Sequence, residues 1–267
     1  MRITNAHLVA YSPTGTTLKN ISHISHGMGF SGPMITNLTP PQTRESVTIS
    51  EDTVAIIGAP VYSGRVAPHA VKRLAQIKGS GGPAVVVAVY GNRHYDNALI
   101  ELRDLAEKAG FVVVGGAALL GEHSFSSDEK PVAKGRPDEA DLAEAKGFGE
   151  KVIKALEAAD TLSSMGIPEI PGTVPEEPFP SLSGMCPEVD KDLCIECGVC
   201  ALTCPVEAIA MSEGPVMDPK LCTYCLACQK ACPSDAIRVT TPLILGFMDK
   251  LFENCKERRE PEFFLSC

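Results

Sequence analysis

Eight cysteines in two matching runs constrain this chain more than any other feature of its sequence. Cys194, Cys197, Cys200 and Cys204 recur as Cys222, Cys225, Cys228 and Cys232, with each pair 28 residues apart. Pro205 and Pro233, Asp190 and Asp218, and the dipeptides Ala208-Ile209 and Ala236-Ile237 keep the same offset. Two copies of C-x2-C-x2-C-x3-C-P therefore predict a small module made of one duplicated loop. All 11 cysteines of the 267-residue chain lie at or beyond Cys186. A dense cysteine cluster in a chain without secretory features points to metal or redox chemistry rather than to disulfides. Structural zinc is the plain alternative, but it asks for two separated C-x2-C pairs and four ligands in all. Cys186, Cys255 and Cys267 fall outside the repeat and read as spare thiols.

The duplicated motif resembles the bacterial two-cluster ferredoxin family, and the resemblance covers the whole cysteine-rich module. It implies two [4Fe–4S] clusters. Three thiolates two residues apart wrap a loop around one cubane, and the fourth of each run reaches the other cluster. One cluster is then expected on Cys194, Cys197, Cys200 and Cys232, and the second on Cys222, Cys225, Cys228 and Cys204. Small and apolar neighbours such as Ile195, Val199, Ala201, Leu226 and Ala227 would keep water from the sulfurs and tune the potential.

The first 160 or so residues follow a different pattern. Residues 6–11, 53–61, 83–91 and 111–119 are near-continuous apolar runs, as in strands buried on both faces of a parallel sheet. A weaker strand is expected near 46–50. Helical spacing appears at 16–27, 66–78, 97–109 and 138–159, with Ala98, Leu102, Leu105, Ala106 and Ala109 forming the inward stripe of the third. Strand and helix in alternation predict an α/β fold with a doubly wound, five-stranded parallel sheet and right-handed crossovers.

The first strand runs straight into Ser12-Pro13-Thr14-Gly15-Thr16-Thr17 and then into a helix. Hydroxyls and backbone N–H groups at a helix N-terminus suit a phosphate, and the absence of Lys or Arg from the loop points to a monophosphate. No G-x4-G-K-[ST] motif is present. Two more loops follow the 53–61 and 83–91 strands: Pro60-Val61-Tyr62-Ser63-Gly64, and the stretch with Gly91, Asn92, Arg93, Tyr95 and Asp96. Ligands in open α/β sheets bind at such carboxyl ends. The phosphate loop resembles that of the flavodoxin family, over about residues 3–160. This resemblance implies FMN, with the phosphate on the first loop and the ring between the other two. The chain has no Trp, so Tyr62, Tyr95 or Phe125 would flank the ring.

Other features carry less. Residues 27–32 spell G-x-G-x-x-G but follow a helix, so they lack the strand–turn–helix setting of a dinucleotide site. His23 and His26 have no cysteine or carboxylate companions in sequence and read as surface residues. His94 and His123 fall on loops near the expected flavin, where a packing role outweighs proton transfer. A net charge of −9 argues against nucleic acid. No stretch reaches 18 apolar residues and the N-terminus carries no leader, so a cytoplasmic protein that does not cross the membrane is expected.

The expected organisation is a flavodoxin-like FMN domain over 1–162, a Pro-rich linker over 163–185, a small α+β 2[4Fe–4S] ferredoxin domain over 186–241, and a helical extension over 242–267. The extension is read as docking on its own protein. Together the modules resemble the fused flavodoxin–ferredoxin family of anaerobic metabolism, which implies an electron carrier between protein redox partners and FMN. Two other readings stay open: a ferredoxin-dependent flavin reductase of a small molecule, and a redox sensor. A homodimer would serve if the two modules of one chain lay far apart. Direction of flow, potentials and partner are not written in the sequence.

Overall fold

The computed structural model describes residues 3–42, 46–179 and 184–266. Its main sheet begins with β1 (Asn5–Ala10), β2 (Met34–Asn37) and β3 (Thr53–Tyr62). It continues with β4 (Pro83–Tyr90), β5 (Val112–Leu120) and β6 (Glu262–Leu265). Their spatial order is β2-β1-β3-β4-β5-β6, with the first five parallel and β6 antiparallel on the β5 edge. The 2-1-3-4-5 order is that of the flavodoxin-like doubly wound fold.

Burial on both faces explains the strand composition. In β4, Ala84, Val86 and Ala88 face one core while Val85, Val87 and Val89 face the other. Helices α1 (Thr16–Gly27) and α4 (Glu139–Ala158) cover the second face. Helices α2 (Pro68–Leu74) and α3 (Ala98–Lys108) cover the first. A β-carbon on Gly149 of α4 would lie 2.0 Å from the Ile24 carbonyl oxygen of α1, so only glycine permits this helix spacing. α4 starts with a capping box in which the Asp138 side chain accepts from Asp141 N–H and the Asp141 side chain accepts from Asp138 N–H.

Three expectations need correction. The second strand of the main sheet is β2, not the segment near 46–50; Val47–Ile49 forms instead a separate two-stranded pair with Ile77–Gly79. That pair cuts α2 short of the expected residue 78. The segment expected to be an unpacked linker opens with a 3-10 turn ending at Met165 and then runs extended, but it packs against the first module at Met165, Ile170 and Thr173. Met165 and Ile170 are buried in the two cores, and Thr173 N–H is held by the Asn97 side chain. Residues 180–183 of the expected linker lie outside the described residues, as does Cys267.

The cysteine-rich module shows its duplication in backbone detail. Glu196 and Tyr224, Gly198 and Leu226, and Glu207 and Asp235 are pairs 28 residues apart, and all six have positive φ. The copies also exchange pairings: Asp190 N–H donates to Ala236 O and Asp218 N–H to Ala208 O, each at 2.7 Å. Each copy carries one short helix, α5 (Val199–Thr203) or α6 (Ala227–Lys230). Helix α7 (Pro242–Asn254) then packs Ile244 and Leu251 against the chain before the tail reaches β6. No helix among the described residues is long and apolar enough to cross a membrane.

Candidate cofactor sites

Two cavities in the cysteine-rich module divide the eight repeat cysteines. One is walled by Cys194, Cys197, Cys200 and Cys232. The other is walled by Cys204, Cys222, Cys225 and Cys228. Each wall thus takes three cysteines from one copy and the fourth from the other, the grouping expected from the repeat. All eight are free thiols. Among the described residues, no three His, Cys, Asp or Glu side chains close on a single-ion site.

Electrostatics differ between the two sets. Burial raises Cys225 and Cys228, with the neighbouring thiols adding to the rise at Cys228, and pushes Cys222 up to about 11. Neutral thiols crowded this way gain from a cation that takes their protons away. Burial opposes ionisation at Cys232 too, but backbone N–H groups of Ser234 and Ala236 outweigh it and lower its pKa. The paired N–H contacts from Ala208 to Cys204 Sγ and from Ala236 to Cys232 Sγ are both 3.3 Å. Tyr11 is 1% exposed, and its hydroxyl has no hydrogen-bond partner among the described residues. Burial first, then the nearby Cys225, raises its pKa. An orphaned donor beside this thiol set fits a sulfide-bearing cluster, which would accept from it.

A third cavity, of about 370 Å³, opens at the carboxyl ends of β1, β3, β4 and β5. This is the size range of a small-molecule or cofactor site. At one end stand Pro13, Thr14, Thr16 and Thr17. Gly15 has φ +84° ahead of α1, and a β-carbon there would meet nothing within 4 Å. Thr14 and Thr16 hydroxyls lie 3.4 Å apart. The loop offers hydroxyls and a helix N-terminus with no basic side chain, so it fits a phosphate monoester.

Pro60, Val61, Tyr62, Ser63 and Gly64 line a second wall. Arg65 and Glu101 brace that loop through a two-point ion pair at 2.9 and 2.6 Å, and Glu101 also accepts from Val66 N–H. Burial first, then Cys225, pushes the Tyr62 phenol far up.

From the third expected loop Gly91, Arg93 and His94 reach the cavity wall. Gly91 leaves room for His123, whose ring would lie 2.4 Å from a β-carbon placed there. Asn92, Tyr95 and Asp96 point elsewhere. Asn92 is buried and ties down the tail, Tyr95 donates to Glu262 of β6, and Asp96 pairs with Arg93. Ser12 and Gly15 shape the phosphate loop without lining the cavity; Ser12 Oγ accepts from Leu18 N–H. Of the aromatic candidates, Tyr62 and Phe125 reach the wall and Tyr95 does not.

Of the remaining walls, His123 and Phe125 are expected near the flavin from sequence and the others are not. Glu122, His123 and Ser124 follow β5. Burial and the charges of Lys230 and Arg93 lower His123 to about 4. Thr223 and Tyr224, the two residues between Cys222 and Cys225, form part of the wall. Leu243, Ile244, Phe247 and Leu251 of α7 close the apolar end. Phe125 joins the parts, with its ring 5.9 Å from that of Tyr224 and 6.0 Å from that of Phe247. A loop after the last parallel strand was a legible signal, and the tail helix was expected to dock on its own protein, but not that it would close this cavity.

Residues 193–236 match the model of the 4Fe–4S dicluster domain family. Among solved structures, a flavodoxin from the domain Archaea is 14% identical at TM-score 0.38, covering 58% of this chain and 99% of that one. Flavodoxin 1 from Bacillus cereus is 16% identical at TM-score 0.40, covering 57% and 98%. Rubredoxin:oxygen oxidoreductase from Desulfovibrio gigas is 13% identical at TM-score 0.40, and the match spans 59% of this chain but 37% of that protein. No curated protein sequence matches the chain. The strand order assigns the fold independently of these likenesses.

Proposed function

From a chain that joins a flavodoxin-like sheet to a 4Fe–4S dicluster domain, we propose an electron-transfer protein that holds FMN and two [4Fe–4S] clusters and links one-electron protein partners to a flavin. The observation that carries this reading is a shared wall. Thr223 and Tyr224, flanked by two cysteines of one thiol set, line the same cavity as the threonines of the phosphate loop. The FMN phosphate would sit on Thr14, Thr16 and Thr17, and the ring between the Pro60–Gly64 loop, Phe125 and Tyr224. The cysteine sets of the two smaller cavities would hold one cluster each.

When bound, these groups supply two-electron chemistry at the flavin and one-electron chemistry at the clusters. The chain does the rest. The Arg65–Glu101 pair fixes one ring-facing loop, and Phe247 and Leu251 exclude water from the apolar end. Arg73 donates to Pro205 O at 2.6 Å and Lys230 to Glu122 at 2.7 Å, clamping the two modules together.

Anaerobic purification with iron, sulfide and released-flavin analysis tests the reading. About eight irons and one FMN per chain are expected from the ligand count. Colourless protein carrying zinc and no flavin overturns it.

A further inference from the structure

The two copies of the cysteine repeat meet different surroundings, and this difference points to a docking site. In the second copy Thr223 and Tyr224 face the 370 Å³ cavity, and Lys230 pairs with Glu122. Pro205, beside the same thiol set, accepts from Arg73. This end of the module is covered by its own chain. The residues 28 positions away around the other thiol set are Ile195, Glu196, Leu202 and Pro233. All four are exposed, with Ile195 at 64% and Leu202 at 87%. Cys197 is the one exposed ligand candidate among the eight, and it lies in the same loop.

Resting on the function proposed above, we propose that this open end is the port at which a one-electron redox protein docks. The covered end then serves as the inner relay to the flavin. The internal symmetry carries the argument: where Thr223, Tyr224 and Lys230 meet a redox cavity of the same chain, Ile195, Glu196 and Leu202 present the equivalent surface to a second protein. An apolar centre with a charged rim is the usual composition of a protein interface.

Charge selects the partner. The module from 186 to 241 carries eight carboxylates against four basic residues, and one of the four, Lys230, is engaged at the covered end. At the open end Glu196 lies against the Gly214 turn, next to exposed Glu213, and Asp192 is exposed two residues before Cys194. The partner is therefore a protein whose cofactor edge is ringed by Lys and Arg. Opposite potentials speed such encounters and make them salt-dependent. Each encounter passes one electron between the two proteins, oxidising one and reducing the other, with no bond formed or broken.

The test uses the iron-loaded, flavin-loaded protein and a redox-inert probe, zinc-substituted cytochrome c, which is basic around its porphyrin edge. Binding is measured by calorimetry at low ionic strength and again at high salt. The double variant Glu196→Gln/Glu213→Gln and the single variant Leu202→Lys are each expected to weaken binding at least fivefold and flatten its salt dependence. Glu150→Gln/Glu157→Gln, with the same charge change on exposed positions of α4, is expected to leave it within twofold. Iron and flavin contents should match in all samples. Absence of binding, or equal weakening by the α4 pair, overturns the port. Purified protein lacking iron and flavin overturns the function on which it rests, a separate result.

Discussion

Asn92 holds Cys255 in place from the loop after β4. Its side-chain amide donates to the Cys255 carbonyl at 2.8 Å and to the Glu257 carbonyl at 2.8 Å, and its oxygen accepts from Arg259 N–H at 3.1 Å. Asn92 has φ +63° and is 3% exposed. One loop residue after β4 thus fixes the strap between α7, which closes the large cavity, and β6, which completes the sheet. Arg136 and Arg258 reinforce the strap through Arg259 O and Asp138.

Replacing Asn92 separates its hydrogen bonds from its backbone. Asn92→Gly keeps the left-handed conformation and loses three hydrogen bonds, at a cost of about 1–3 kcal/mol. Asn92→Ala adds roughly 1 kcal/mol of backbone strain. Urea unfolding should rank wild type above Gly above Ala. Hydrogen exchange should quicken across residues 242–265 before it does so in β1, β3 or β4.

The phosphate loop is tested by comparing two flavins. Thr16→Val deletes a hydroxyl at the expected phosphate position, and a hydrogen bond to a charged group contributes about 1.5–3 kcal/mol. FMN affinity, read from fluorescence quenching, should fall by roughly ten- to hundredfold. Riboflavin, which lacks the phosphate, should bind both proteins alike. Equal losses for both flavins would remove the phosphate from this loop.

Crossed ligand sets make a pairwise prediction. Cys204→Ala and Cys222→Ala come from different copies but line one cavity, so each should lower iron from about eight to about four atoms and leave the same residual spectrum. Cys194→Ala and Cys232→Ala should leave the other spectrum. Matching within copies rather than across them would refute the crossing.

His123 gives a pH dependence of definite sign. Its folded pKa of about 4 lies below the unfolded value of 6.5. The unfolded chain therefore takes up a proton first as pH falls, and the stability from keeping the ring neutral is present above pH 6.5 and lost between there and 4. Between pH 7 and 5.5, a range chosen to spare the clusters, the loss is about 1 kcal/mol. In His123→Gln this contribution should vanish, and urea midpoints at the two pH values show whether it does. An unchanged difference would mean that the ring is not held neutral.

Much of the fold was legible because its signals are local. β3, β4 and β5 are apolar runs flanked by loops, and burial on both faces asks for such runs. β2 carries no such signal: Met34 and Ile35 are each 54% exposed and only Thr36 is buried. Val47–Ile49 looked more like a strand and is one, yet it pairs outside the main sheet. The cysteine grouping was written in the spacing. Side-chain direction within a loop was not, so Asn92 and Tyr95 were expected at the flavin although they turn to the tail. The wall made by α7 depends on contacts between residues more than a hundred positions apart, which no local pattern reports.

The last strand has a consequence for how this molecule is made. β6 pairs Glu262–Leu265 with Gly115–Ala118 of β5, so a ribosome must release more than 140 residues beyond β5 before the parallel sheet can close its border. Until then the β5 edge is bare backbone in a row of valines, glycines and alanines, an invitation to foreign strands. Separating the two modules at the proline-rich segment would leave the flavodoxin-like half in that immature state permanently. It is better regarded as a unit completed by a strand from beyond the cysteine-rich module than as an independent block to which a second has been attached.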